Sequence, residues 1–302
     1  MTSTEVLDAV RERSTAAEPL ANDWRAVICP PEIKTDIVHH ALLAFQLRGR
    51  FPSTVTGLHG LIALVGPPGT GKTTLARGLA GALSEVLRGA EVRLLEVNPH
   101  GLMSGEHGRS QQLVSELLTE YLPSLTDDGT PTVVLLDEVE SMAVSRSAAS
   151  LSANPVDVHR ATDAVLTAMD ELAATHTNLV FVVTSNFVTG LDTAFLSRAD
   201  TVIDVGLPTA DALHQIVADV LRSLGEHHQS LLVLAEDPRL RNIAGTVEGI
   251  DGRQARKLVM RALAQRPETA VDAGKLTFDD LTKAAKQTAA RISREVSHVR
   301  AA

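Results

Sequence analysis

Gly66-Pro67-Pro68-Gly69-Thr70-Gly71-Lys72-Thr73, preceded by the apolar run Leu61-Ile62-Ala63-Leu64-Val65 and followed by Thr74-Leu75-Ala76-Arg77, decides the fold. An apolar run, a glycine-rich turn and a helix in that order form a cradle for phosphate. The glycines let successive backbone N–H groups converge on an anion without a Cβ in the way, and the helix presents its positive dipole end to the same point. Lys72 is spaced to reach terminal phosphates and Thr73 to offer a hydroxyl to Mg²⁺. Gly66 through Thr74 are therefore the candidate contacts to a nucleoside triphosphate, ATP with Mg²⁺.

Outward from this loop, three further apolar runs alternate with helical segments. They are Val92–Val97, Thr132–Leu136 and Leu179–Val183. Strands alternating with helices predict an α/β fold with a parallel, doubly wound sheet. A shorter strand, Thr201–Val205, ends at Gly206-Leu207-Pro208, and every later segment reads as helix. The expected domains are a short N-terminal segment over 1–29, a large α/β domain over 30–207 and an all-helical lid over 208–302. Pro30-Pro31 opens a helix before the phosphate loop, with Ile33, Ile37, Val38, Ala41, Leu42 and Phe45 at helical spacing. Residues 1–28 show no strand pattern and read as one short amphipathic helix with a linker.

Composition narrows the class. Of 302 residues, 44% are hydrophobic and 3% aromatic, so the core is built from Leu, Val, Ala and Ile, as suits helices around a parallel sheet. No stretch approaches the roughly 18 apolar residues of a membrane span, and the charged N-terminus lacks a signal-peptide core, which points to the cytoplasm and away from membranes. The single cysteine, Cys29, excludes an intrachain disulfide. A net charge of −9 argues against a surface that coats nucleic acid and makes a protein partner the default.

The strand over 133–136 delivers Asp137 and Glu138 at its C-terminal end, the edge where open α/β sheets bind ligands. Asp137 suits Mg²⁺ and Glu138 suits a general base on the attacking water. The next strand ends in Thr184-Ser185-Asn186. If it lies beside the strand of the phosphate loop, the Asn186 amide can orient that water. Arg198 reads either as a surface arginine paired with Asp200 or as a finger on a neighbouring subunit's nucleotide. Arg253, in the run Gly252-Arg253-Gln254-Ala255-Arg256-Lys257, opens a helix whose dipole opposes a positive charge there, so it reads either as surface charge or as a contact to an anion.

Together these segments resemble the AAA+ ATPases, with Gly66–Thr73 as Walker A, Val133–Glu138 as Walker B, Asn186 as sensor 1, Arg198 as the finger and Arg253 as sensor 2. Below that level, the strings Leu136-Asp137-Glu138-Val139-Glu140-Ser141, Asp163-Ala164-Val165-Leu166-Thr167-Ala168-Met169-Asp170, Thr184-Ser185-Asn186-Phe187, Ala194-Phe195-Leu196-Ser197-Arg198-Ala199-Asp200 and Gly252-Arg253-Gln254-Ala255-Arg256-Lys257-Leu258 resemble the pachytene-checkpoint ATPases. The resemblance implies a homohexamer that opens a HORMA-domain protein. With so few residues before the ATPase core, it implies a compact bacterial relative that switches off a cyclic-oligonucleotide antiphage complex. The pore loop it implies falls on Met103, Gly105, Glu106 and His107, where family members carry an aromatic residue. Two other readings keep the same catalytic residues: a nucleotide switch or loader acting on DNA-replication proteins, and a chaperone of a metabolic enzyme.

Overall fold

A computed structural model of the chain describes residues 4–16, 18, 20–98, 109–139, 167–186 and 196–301. Among these, six strands form one sheet: β1 (Val10–Ser14), β2 (Leu61–Val65), β3 (Arg93–Val97), β4 (Thr132–Leu136), β5 (Leu179–Ser185) and β6 (Thr201–Asp204). Their order is β1-β3-β4-β5-β2-β6. All neighbours are parallel except β1, which pairs antiparallel with β3. The expected parallel sheet is present, and β5 lies beside β2 with Ser185 opposite Val65.

The reason lies in the apolar runs. Every residue of β2, β4 and β5 is buried, as in a sheet covered on both faces. Successive side chains then feed two cores. Leu61, Ala63, Val65, Val134, Leu136, Phe181 and Val183 enter one. Ile62, Leu64, Val133, Leu135, Val180 and Val182 enter the other, which is covered by α3 (Pro31–Arg48) and by α5 (Lys72–Val86).

The N-terminal segment departs from its sequence reading. It is not one helix: α1 (Thr4–Ala9), β1 and α2 (Ala21–Ala26) follow one another, and all three belong to the same compact unit as the sheet. Val10-Arg11-Glu12-Arg13-Ser14 lacks apolar alternation because an edge strand has little to bury, and ion pairs hold it instead. Arg13 meets Glu96 at 3.2 Å, and Arg93 meets Glu12 at 3.0 Å. α2 lies so close to α5 that a Cβ at Gly78 or Gly81 would strike the backbone of Trp24 or Ala21.

A second compact unit comprises 206–302 together with the loop tip Pro67–Thr70. It is helical: α8 (Ala210–Gly225), α9 (Gln229–Ala235), α10 (Leu240–Thr246), α11 (Gly252–Leu263), α12 (Pro267–Val271) and α13 (Phe278–Ala301), while α4 (Ser53–Thr56), α6 (Arg109–Glu116) and α7 (Leu122–Thr126) belong to the first unit. Leu213, Leu221, Leu231, Leu258, Val259 and Leu281 fill its core. Thr209 and Asp251 cap α8 and α11 by accepting from Ala212 N at 3.3 Å and Gln254 N at 2.8 Å. The Arg266 guanidinium holds the Asp280 carboxyl down to about 2, through bonds of 2.9 and 2.7 Å.

Candidate active site

β2 ends at Val65 and the chain turns at Gly66, whose φ of 138° only glycine adopts readily. A Cβ there would also strike the Val205 carbonyl just past β6, so the turn needs glycine for space as well as for conformation. Gly69 and Gly71 have φ of 78° and 103°. Within the second unit, a Cβ on Gly69 would lie 2.5 Å from the Asp251 carboxyl, so the loop tip rests against the cap of α11. Thr70 Oγ1 donates to the Pro67 carbonyl at 3.0 Å and closes the loop tip.

Lys72 is the first residue of α5 and is buried, with 5% of its surface exposed. Its ammonium donates to the Gly66 carbonyl at 2.7 Å and to Asn186 Oδ1 at 3.0 Å. Thr73 Oγ1 donates to Asp137 Oδ1 at 2.7 Å. Thr184, at the end of β5, donates its hydroxyl to the same oxygen at 2.5 Å and accepts from the Glu138 amide at 2.9 Å. Glu138 sits at a φ of 53°, rare for a residue with a side chain and recurrent at functional sites. The Asn186 amide donates to Glu138 Oε1 at 3.4 Å. One chain of bonds thus links Lys72, Asn186 and Glu138, and another links Thr73, Asp137 and Thr184.

These are groups that sequence reasoning selected, drawn together by the adjacency of β4, β5 and β2. Thr74 follows, half-buried, in the first turn of α5. Arg253 is exposed at the second position of α11, two residues from Asp251. The pore-loop candidates Met103, Gly105, Glu106 and His107 lie outside the described residues, as do Glu140, Ser141 and Phe187.

Three contributions escaped the sequence reading. Thr184 holds the Asp137 carboxylate and the Glu138 backbone amide, and its place in the string Thr184-Ser185-Asn186 was its only signal. Arg77, one turn after Thr73 on α5, binds Glu96 at 2.7 Å, and Glu96 also takes Arg13 from β1. A pocket of about 350 Å³ opens beside the carboxylates, with Asp137, Glu138, Arg77, Glu96, Asn98 and Arg11 in its wall. Because β1 read as part of a helix, nothing in the sequence reading brought Arg11 here.

Arg198 departs from its expected alternative. Its partner is not Asp200 but Asp170, whose Oδ2 accepts from Arg198 Nε at 2.8 Å. Asp200 instead accepts the amides of His59 at 2.7 Å and Gly60 at 2.8 Å. Its burial pushes its carboxyl above the ordinary range.

The oxygen donors at this edge, a threonine hydroxyl and an aspartate carboxylate, are the hard ligands that Mg²⁺ takes, and they leave most positions to water and phosphate. Among the described residues no cluster of three or more His, Cys, Asp or Glu has metal-binding proximity.

Known proteins resemble this chain in sequence and in fold. The sequence model described as "ATPase family associated with various cellular activities (AAA)" matches residues 62–207. CD-NTase-associated protein 6 of Pseudomonas aeruginosa is 45% identical over 268 residues, 89% of this chain and 88% of that protein. The pachytene checkpoint protein 2 homologue of Arabidopsis thaliana is 37% identical over 205 residues, 67% of this chain but 44% of that protein, so the chain spans less than half that relative's length. Among solved structures, the E. coli MS115-1 HORMA:CdnC:Trip13 complex holds a chain that matches with a TM-score of 0.76 over 94% of this chain and 97% of that one. At 16% identity this is a likeness of fold.

Proposed function

The chain belongs to the AAA family of ATPases, with CD-NTase-associated protein 6 and the pachytene checkpoint protein 2 homologues as relatives, and we propose that it hydrolyses ATP as a homohexamer to open a HORMA-domain protein. The observation that carries the reading is the convergence of Lys72, Thr73, Asp137, Glu138 and Asn186 on the C-terminal edge of the sheet. There Lys72 exchanges its Asn186 bond for the terminal phosphates of ATP, and the loop N–H groups hold the remaining oxygens. Thr73 and Asp137 would hold Mg²⁺, which spreads the charge of the β- and γ-phosphates when bound. Glu138 takes the proton of the attacking water, whose oxygen bonds to the γ-phosphorus as ADP leaves. Asn186 orients that water, with Thr184 fixing the Glu138 backbone.

The place of Arg198 supports an assembly. Asp200 holds the start of β2 through the His59 and Gly60 amides, whereas Lys72 stands beyond the strand's other end. Five strand residues span about 16 Å, more than an arginine side chain reaches. A phosphate met by Arg198 is therefore that of a second copy. Arg253 is assigned to the nucleotide as sensor 2, and Met103, Gly105, Glu106 and His107 to the substrate-gripping loop.

The partner reading rests on the strings shared with the pachytene-checkpoint ATPases and on the 45% identity to a protein named for its association with a CD-NTase. It places the chain in a bacterial defence system, switching off a cyclic-oligonucleotide synthase by opening its HORMA activator. The test is nucleotide-dependent capture. Glu138→Gln protein with MgATP should retain a HORMA-domain protein from the same organism and release it without nucleotide. Retention of DNA-replication proteins or of a metabolic enzyme in its place would overturn the partner and keep the ATPase.

A further inference from the structure

Each carboxylate oxygen of Glu96, on β3, takes an arginine from a different element. Oε2 accepts from Arg77 Nε of α5 at 2.7 Å, and Oε1 accepts from Arg13 Nη1 of β1 at 3.2 Å. Only 12% of the Glu96 side chain is exposed, so its ends of both bonds lie largely out of water. Arg13 in turn holds Glu18 at 2.7 Å and lies 3.8 Å from Asp23 on α2, whose backbone rests against Gly78 and Gly81 of α5. These contacts close a ring, from α5 to β3, to β1, to α2 and back to α5.

Arg77 stands four residues after Thr73 on α5, so the two side chains share a helix face one turn apart. Both tie the helix to the sheet. Thr73 Oγ1 donates to Asp137 just past β4, and Arg77 donates to Glu96 on β3, the strand paired with β4. The two ties differ in permanence. The proposed reaction, on which this inference rests, turns Thr73 and Asp137 toward Mg²⁺ and ends their mutual bond, whereas it draws on neither Arg77 nor Glu96.

We propose that Glu96 is a positioning residue that seats the first turn of the phosphate-loop helix through Arg77 when MgATP is bound, and that β1 acts on that seat through Arg13. Without Mg²⁺ both bonds on this face hold α5 to the sheet, and with it the bond to Glu96 remains. A first turn that shifts carries Lys72 and Thr73 off the phosphates, and a displacement of about 1 Å is enough to be felt in binding and rate. Folding stability is a poor explanation for the tie. Arg77 keeps 40% of its side-chain surface exposed, where ion pairs contribute little to folding. Leu75, Leu79 and Leu83 bury α5 in the core, so loss of the Arg77 bond leaves the helix folded and changes the lie of its first turn.

The test is the ATP affinity of full-length variants, titrated with and without Mg²⁺. Arg77→Gln should weaken MgATP binding by about 3–10-fold, the scale of a partly exposed charged bond. It should leave ATP binding in EDTA unchanged, because there the bond between Thr73 and Asp137 still holds the first turn. Arg77→Lys keeps the cation and should recover part of the loss. Arg13→Gln should weaken MgATP binding less, and the double variant no more than Arg77→Gln alone, since that substitution removes the link through which Arg13 acts. Thermal unfolding without nucleotide reports whether each variant folds. Equal weakening with and without Mg²⁺, which is what a merely structural role gives, overturns the proposal, as do no weakening at all and losses that multiply in the double variant. An unmodified chain that binds ATP no better with Mg²⁺ than in EDTA overturns the Mg²⁺ reading of Thr73 and Asp137, and this inference with it.

Discussion

At the C-terminal end of β2 the charged groups Lys72 and Asp137 are bonded to polar side chains, whereas at its N-terminal start Arg48 and Asp200 are bonded to backbone. Lys72 holds Asn186 and one carbonyl, Gly66, while Thr73 and Thr184 both hold Asp137. At the other end, Arg48 donates to the carbonyls of Leu179 at 2.5 Å and Ala173 at 2.6 Å, and Asp200 takes two amides. Backbone partners cannot leave without unravelling the turn, and burial drives the Arg48 guanidinium down and the Asp200 carboxyl up, as for groups removed from water. Side-chain partners can be exchanged for a phosphate or a cation at little structural cost. The difference separates polar groups that hold the fold from polar groups that hold places for a ligand, and buried charge alone does not tell them apart, since Lys72 and Arg48 are both buried.

Substitutions at the two ends should therefore fail differently. Glu138→Gln should lower ATP turnover by roughly 10²–10⁴-fold, with ATP binding and thermal stability retained. Steady-state hydrolysis beside nucleotide titration checks this, and a loss of stability matching the loss of turnover would break the comparison. Asp200→Ala leaves the His59 and Gly60 amides without their acceptor. It should cost about 3 kcal/mol in denaturant unfolding, with the folded fraction binding MgATP as before. A cost below about 0.5 kcal/mol would place Asp200 among the exchangeable groups.

How much of this was legible beforehand follows from where each residue draws its partners. The fully buried strands β2, β4 and β5 announce themselves as apolar runs, and the phosphate loop as glycines at fixed spacing, so the catalytic edge could be read from local pattern. β1 could not, because it is an edge strand whose attachment is Arg13 to Glu96 and Glu12 to Arg93, pairs separated by some eighty residues. Gly78 and Gly81 show the same limit. They read as ordinary helical residues, and their meaning is the backbone of α2 lying against them. For Arg198, Asp200 stands two residues away and is the natural guess from sequence. Its carboxylate is consumed by His59 and Gly60, and Asp170, twenty-eight residues earlier, takes the arginine instead.

The central claim is that the groups around Lys72 hold places for MgATP, and ligand-dependent unfolding tests it most directly. Anything that binds the folded chain raises its stability, by about 2.7 kcal/mol at a hundred times Kd. The unmodified chain should melt at a higher temperature with MgATP than without, and Lys72→Ala should show no such rise at the same concentration. An equal rise in both chains, or none in the unmodified chain, would contradict it.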